Sequence, residues 1–210
     1  MTEQQTPGPR AAARSPRTRA IAVTAAGLAV TGVLIGGLWA WIAPPIHVVV
    51  AITRAGDRVH EYLGPEINHF FDAPCLMLGL LTVLAVVGTV LVWQWRAHRG
   101  PGMVVGLSVG MLAAAAAASA VGALLVRVRD GSLNFDAVPL IGSPSVAYVV
   151  QAPPVFFADK PLQVAATLVW PVAIAALVYA VLAAANARDD LGALPVADQP
   201  SPAQPMEPVA

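Results

Sequence analysis

Three of the four histidines, His47, His60 and His69, fall in one stretch from Pro44 to Asp72, together with Glu61, Glu66 and Asp72. Imidazole and carboxylate are ligands for zinc and other transition metals, and a metal site needs several of them converging. The spacing argues against convergence. No His-x-x-x-His or His-Glu-x-x-His pattern places two ligands on one helical face, so solvated interfacial polar residues are expected. Asp57 and Glu61, one helical turn apart, have the types for acid/base work, but Arg54 and Arg58 beside them are their better-matched partners on a wet face. The single cysteine, Cys75, has no second thiol for a disulfide, redox or zinc motif and reads as a small buried hydrophobe. No nucleophile elbow, phosphate-cradling loop, dinucleotide fingerprint or haem-attachment motif occurs. We therefore assign no catalytic, cofactor-binding or metal-ligating residue, and expect a non-enzymatic protein.

The elements that must position these residues are set by composition. The 210 residues are 57% hydrophobic and 11% charged with zero formal net charge, and mean hydropathy is +0.69. Zero net charge gives no field directed at nucleic acid, which is excluded as a partner. The apolar residues gather into four runs without Asp, Glu, Lys or Arg: Ala20 to Ala43, Ala73 to Trp95, Met103 to Val126 and Leu162 to Ala184. Each reaches the roughly 20 residues that a helix needs to cross a hydrocarbon core of about 30 Å. The runs are continuous where a barrel strand would alternate, so spanning helices are predicted. The first run is too long for a signal peptide, and Pro44-Pro45 stands where a small-residue cleavage site belongs, making it an uncleaved anchor.

Orientation follows from arginine. Arg10, Arg14, Arg17 and Arg19 precede the first run, and Arg96 and Arg99 lie in the short loop 96–102, placing both segments in the cytoplasm of a plasma-membrane protein with N- and C-termini inside. Arg54, Arg58, Arg127, Arg129 and Lys160 strain that rule, since they fall in the segments left outside. Trp39, Trp41, Phe70, Phe71, Phe156 and Phe157 are expected in the outer aromatic belt, Trp93 and Trp95 in the inner one. Residues 1–19 and 185–210 are polar and Pro/Ala-rich, and read as largely disordered cytoplasmic tails.

Small residues set the packing. Gly106, Gly110, Ala114, Ala118 and Gly122 recur every fourth position of the third run, with Ala115 and Ser119 alongside, and Gly32 and Gly36 repeat the pattern in the first run. Such stripes let membrane helices approach closely, so the third helix is expected at the centre. Pro171 predicts a bend in the fourth. The absence of ionisable residues from all four runs disfavours a pump or ion-coupled carrier.

In the first outer segment, 44–72, Val48, Ile52, Ala55, Val59, Tyr62 and Leu63 fall at helical spacing opposite Arg54, Asp57, Arg58 and Glu61, predicting an amphipathic surface helix ended by Gly64-Pro65. In the second, 127–161, the runs 137–141 and 146–150 flank Gly142-Ser-Pro-Ser145 and predict a short β-hairpin. Two strands alone are marginal in water, so the hairpin needs a cover. The expected fold class is an all-α membrane protein: a four-transmembrane-helix bundle with one amphipathic extracytoplasmic helix and that hairpin.

Four stretches carry a resemblance: Gly56-Asp-Arg-Val-His-Glu-Tyr-Leu-Gly64, Gln94-Trp-Arg-Ala-His-Arg-Gly-Pro-Gly102, Ala152-Pro-Pro-Val-Phe-Phe157 and Ala187-Arg-Asp-Asp-Leu-Gly192. Through them the chain resembles an actinobacterial, chiefly mycobacterial, family of integral membrane proteins classed as a domain of unknown function, over roughly Ala20 to Ala193. The resemblance implies a four-helix inner-membrane protein and carries no activity. The leading expectation is thus a structural or interaction protein of the cell envelope, embedded in membrane lipids, whose outer segments contact an envelope protein or a second copy. Alternatives are an enzyme or ligand-binding protein acting on an envelope lipid through His60, Glu61 and His69, and a passive channel or carrier lined by the third and fourth helices.

Overall fold

The structure, a computed structural model, describes residues 16–131, 133–140 and 146–186. Four helices dominate it: α1 (Pro16–Ile42), α2 (His69–Gln94), α3 (Pro101–Asp130) and α4 (Pro161–Ala184). All four are long and apolar enough to cross a membrane. Each apolar run lies almost wholly within its helix, and the helices extend beyond them. Residues 16–19, expected in the tail, begin α1, whereas 1–15 and 187–210 lie outside the described residues. At its far end α3 carries Arg127, Arg129 and Asp130 past the apolar run.

The small-residue stripe is where α1 and α3 meet. A methyl group at Gly36 would sit 2.5 Å from the Ala118 carbonyl oxygen, and one at Gly32 would collide with the Ala114 backbone. Gly106 faces Ile21, Gly110 faces Ala25 and Leu28, and Gly122 faces the Trp39 ring. Partner numbers rise together along both helices, so α1 and α3 run parallel. Backbone-to-backbone approach maximises dispersion contact, the term that holds helices together where lipid supplies no hydrophobic drive. Thr24, Thr89 and Thr167 return their hydroxyls to carbonyls one turn back, at Ala20, Ala85 and Gln163, and so hide polar atoms inside apolar helices.

Trp39 departs from expectation. Instead of standing in an aromatic belt it is 0% exposed, donating its indole N–H to the Ala73 carbonyl at 2.8 Å. It packs with Met77, Leu81 and Ala118 in one of the two core clusters. Its neighbour Trp41 is 80% exposed and keeps the belt role.

The segment after α1 is the main correction. Residues predicted as an amphipathic helix form two strands, β1 (Ile46–Ile52) and β2 (Arg58–Tyr62), and a 3-10 turn (Gly64–Asn68) leads into α2. The reason is visible in the residues: β1 is Ile-His-Val-Val-Val-Ala-Ile, β-branched at most positions, and Ile46, Val48 and Val50 are fully buried with period two. A turn at 53–57 breaks the helical spacing. There Thr53 N–H donates to the Asp57 carbonyl at 2.8 Å and Gly56 N–H to the Thr53 carbonyl at 3.0 Å, while Gly56 takes φ 90°, where a side chain would be strained.

The hairpin expected after α3 is corrected too. Its second half exists as β3 (Val146–Gln151), but β3 pairs antiparallel with β1, giving a sheet of order β2-β1-β3. Of the expected first half, 137–141, Ala137 ends a 3-10 turn (Phe135–Ala137), 138–140 has no regular structure and Ile141 lies outside the described residues. A third strand with a buried central face supplies the cover that an isolated pair lacks. Both long segments therefore meet at one end of the bundle, while the short 95–100 connection closes the other. At that other end Arg99 lies over the Trp93 ring at 4.3 Å, and Gly100 N–H donates to the Tyr179 hydroxyl at 3.2 Å.

Candidate functional site

The three-stranded sheet and the turns around it form a cap on the bundle, and the cap holds every residue singled out above for chemistry except His69, Asp72 and Cys75, which lie on α2. Side chains alternate along a strand, and residues opposite one another share a face. Val48 faces Tyr62 and Val149, Val50 faces His60 and Ala147, and Ile46 faces Gln151. Those residues form the inner face. His47, Val49, Glu61, Tyr148 and Val150 then form the outer one.

The histidines are dispersed. His47 sits on the outer face, where its backbone N–H donates to Glu66 Oε2 at 2.6 Å and its ring Nδ1 approaches the same oxygen at 2.9 Å. The His47 backbone N–H, with support from its imidazole, holds the Glu66 carboxyl below the ordinary glutamate value. An ionised carboxylate only accepts, so the ring nitrogen facing it is the protonated Nδ1. His60, on the inner face, stacks flat on Phe135 with ring centroids 4.3 Å apart. His69 directs Nδ1 at the Pro45 carbonyl at 2.8 Å. Glu61 follows His60 directly in β2 and points the opposite way. The structure thus brings together His47 and Glu66, and separates His60, Glu61 and His69, the set considered for lipid chemistry. Asp57 and Glu61 are likewise apart, Asp57 in the turn and Glu61 within β2.

Arg58 shows what the helical reading missed. Instead of pairing with a carboxylate on its own element, it donates through Nη1 to the carbonyls of Phe135 at 2.9 Å and Val138 at 2.8 Å. It thereby pins the segment after α3 onto β2. Tyr62 meets Phe70 edge-on at 5.2 Å and continues the aromatic contacts into α2. Arg129 closes the cap from below, with Nη1 donating to the Ala40 carbonyl at 2.6 Å; that carbonyl belongs to the last turn of α1, whose acceptors have no partner within the helix. Cys75 is half-buried on α2.

The family model described as "Protein of unknown function (DUF2567)" matches residues 28–193. The chain belongs to this family. Among its relatives, the "Uncharacterized protein ML1222" of Mycobacterium leprae is 70% identical over 177 residues, covering 84% of this chain and 89% of that protein. The "Uncharacterized protein Rv1591" of Mycobacterium tuberculosis is 66% identical over 179 residues, covering 85% of this chain and 93% of its own length; "Uncharacterized protein Mb1617" of Mycobacterium bovis matches to the same extent. No solved structure matches. The DUF2567 match takes in the cap and most of the four helices, and the mycobacterial kinship expected from the four quoted stretches stands. The relatives' names assign no activity.

Outside the predicted residues, the cap's most exposed large apolar side chain is Tyr148, at 76%, beside Val150 on β3 and opposite Val49 of β1. With His47, Leu63, Glu66 and Val149 these two β3 residues line a recess of about 260 Å³ on the outer face. The sequence signal was present, a tyrosine alternating with valines in a β-favouring run. What could not be read was which face would be covered.

Proposed function

We propose that this DUF2567 protein is a non-enzymatic, multi-pass protein of the plasma membrane, with both termini in the cytoplasm, whose extracytoplasmic cap docks a second envelope protein. The observation that carries the reading is the outer face of the sheet. Tyr148, Val150 and Val59 stand exposed around Val49, and β2 and β3 are edge strands with no further strand beside them among the described residues. An exposed tyrosine amid valines is the composition of an interface anchor, and open strand edges offer backbone hydrogen bonds to an added strand. The dispersal of His60, Glu61 and His69 weighs against a lipid-modifying enzyme at the cap. The filling of the α3 stripe by α1 weighs against a pore along that face.

Two experiments test it. A photocrosslinking amino acid in place of Tyr148, irradiated in native membranes, is expected to give one reproducible adduct with another envelope protein; an adduct only with a second copy, or none, overturns the docking reading. For orientation, A55C in a Cys75→Ser background is expected to react with an impermeant maleimide in intact cells and A97C only after lysis. The reverse pattern overturns the placement of the cap outside.

A further inference from the structure

Backbone hydrogen bonds show which groups the cap sheet leaves open. Leu63 N–H donates to the His47 carbonyl at 3.1 Å, and Thr53 N–H donates to the Asp57 carbonyl at 2.8 Å; His47 N–H turns the same way, to Glu66 Oε2. Odd-numbered residues of β1 therefore aim their backbone groups toward β2, and even-numbered ones toward β3. In the β1–β3 register, Ala147, Val149 and Gln151 stand opposite Val50, Val48 and Ile46 and are the residues that bond across. Val146, Tyr148 and Val150 are left with N–H and C=O pointing away from β1, along the free edge, where no described residue bonds to them. The strand itself, Val-Ala-Tyr-Val-Val-Gln, has no charge and no proline, and its register with β1 runs without a bulge. Those are the devices that keep native edge strands from pairing. The other edge strand, β2, carries Arg58, His60 and Glu61.

We propose that the free edge of β3 pairs antiparallel with β3 of a second copy, joining two caps into one continuous sheet. One register uses every open group. Tyr148 stands opposite its own counterpart, and Val146 stands opposite Val150 on either side, each bonded pair exchanging both backbone hydrogen bonds. Tyrosine then meets tyrosine and valine meets valine on the outer face, combinations that stabilise cross-strand pairs. The occupant is a second copy because this edge is self-complementary about a two-fold axis and uncharged, so identical strands meet without repulsion. That axis stands normal to the sheet and keeps both covered faces on one side. Two copies inserted in one membrane with one orientation require the same arrangement. The inference is independent of protein docking on the outer face, since pairing uses backbone groups in the plane of the sheet and leaves the Tyr148 side chains above it. In the photocrosslinking experiment at Tyr148, an adduct only with a second copy removes the docked protein and leaves the pairing.

The test uses the full-length protein in native membranes, in a Cys75→Ser background. Opposed residues of a bonded pair stand about 5.5 Å apart between Cα atoms, within disulfide reach, so Y148C is expected to give a disulfide-linked dimer on mild oxidation. V146C and V150C should each stay unlinked alone and link to one another when co-expressed with different tags. V59C, exposed on β2, controls for random collision and should not link. In detergent micelles, native mass spectrometry of the wild type is expected to show twice the 21.6 kDa chain mass. Y148P removes an N–H used in the pairing and none used against β1, so it should weaken the dimer by about tenfold or more while the unfolding midpoint stays near wild type. Y148K, at an exposed side chain, sets like charges opposite one another and should do the same; it carries the test alone if proline disturbs the strand. A monomeric wild type, a dimer undiminished in Y148K, linkage of V146C with itself, or linkage of V59C as efficient as that of Y148C overturns the proposal.

Discussion

Gly32 of α1 lies against the backbone of Ala114 in α3, so closely that a single methyl group has no room beside the Ala114 carbonyl. The two helices are consequently held at the separation that backbone atoms set. G32A should therefore destabilise the bundle by about 1–3 kcal/mol through overpacking, read as a lower unfolding midpoint in detergent. G37A, where nothing lies within 4 Å of the added methyl, should show no loss. Equal effects at the two positions would contradict the close approach.

Trp39 and Trp41 offer a matched pair. W39F removes the buried indole bond to the Ala73 carbonyl and leaves space beside Gly122, at a cost of about 1–3 kcal/mol. W41F alters a ring that faces outward and should be near neutral. Thermal unfolding of the two variants, side by side, distinguishes a packed tryptophan from a belt tryptophan.

The His47–Glu66 contact predicts a pH dependence with a defined sign. Glu66 is held below the ordinary glutamate value of 4.5, first by the His47 backbone N–H. A depressed carboxyl stabilises the fold at pH above its unfolded value, and that contribution disappears as pH falls through the lower folded value. Wild type should therefore exceed E66Q in unfolding midpoint above about pH 4.5, and the two should converge in stronger acid. The site is exposed, so the gap will be small; a gap that widens on acidification would refute the assignment.

Arg58 should control the order of the segment after α3. R58Q loses the two bonds to the Phe135 and Val138 carbonyls, and backbone amides at 133–138 are expected to exchange faster with deuterium by about five- to tenfold, corresponding to about 1 kcal/mol. R58K keeps the charge but not the planar fork, and should rescue little of the protection. Full protection in R58K would mean that charge alone suffices.

The polar residues of the cap were individually visible in the sequence, and their arrangement was not. Between Val48 and Leu63 the apolar positions satisfy helical spacing almost as well as they satisfy alternation, and Arg54, Asp57, Arg58 and Glu61 complete a persuasive wet face. The deciding signals were weaker: the β-branched run 46–52 and a glycine at position 56. Pairing with β3, from across two helices, then settled the matter, because a central strand fully buried on one face gains more than an exposed amphipathic helix of the same residues.

What the sequence determined by itself is local. Four runs long enough to cross a bilayer, and small residues repeated every fourth position in α3 and α1, dictate four helices and their closest contact, because both signals depend only on residues a turn or two apart. What the tertiary structure alone decided is the pairing of segments almost a hundred positions distant. It set which faces of β1 and β3 are covered, scattered the three histidines to separate partners, drew Trp39 out of its expected belt into the core, and buried the Gln151 side-chain oxygen. Each of those outcomes depends on which distant chain arrives opposite a residue, and the residue's own neighbours in sequence do not encode it.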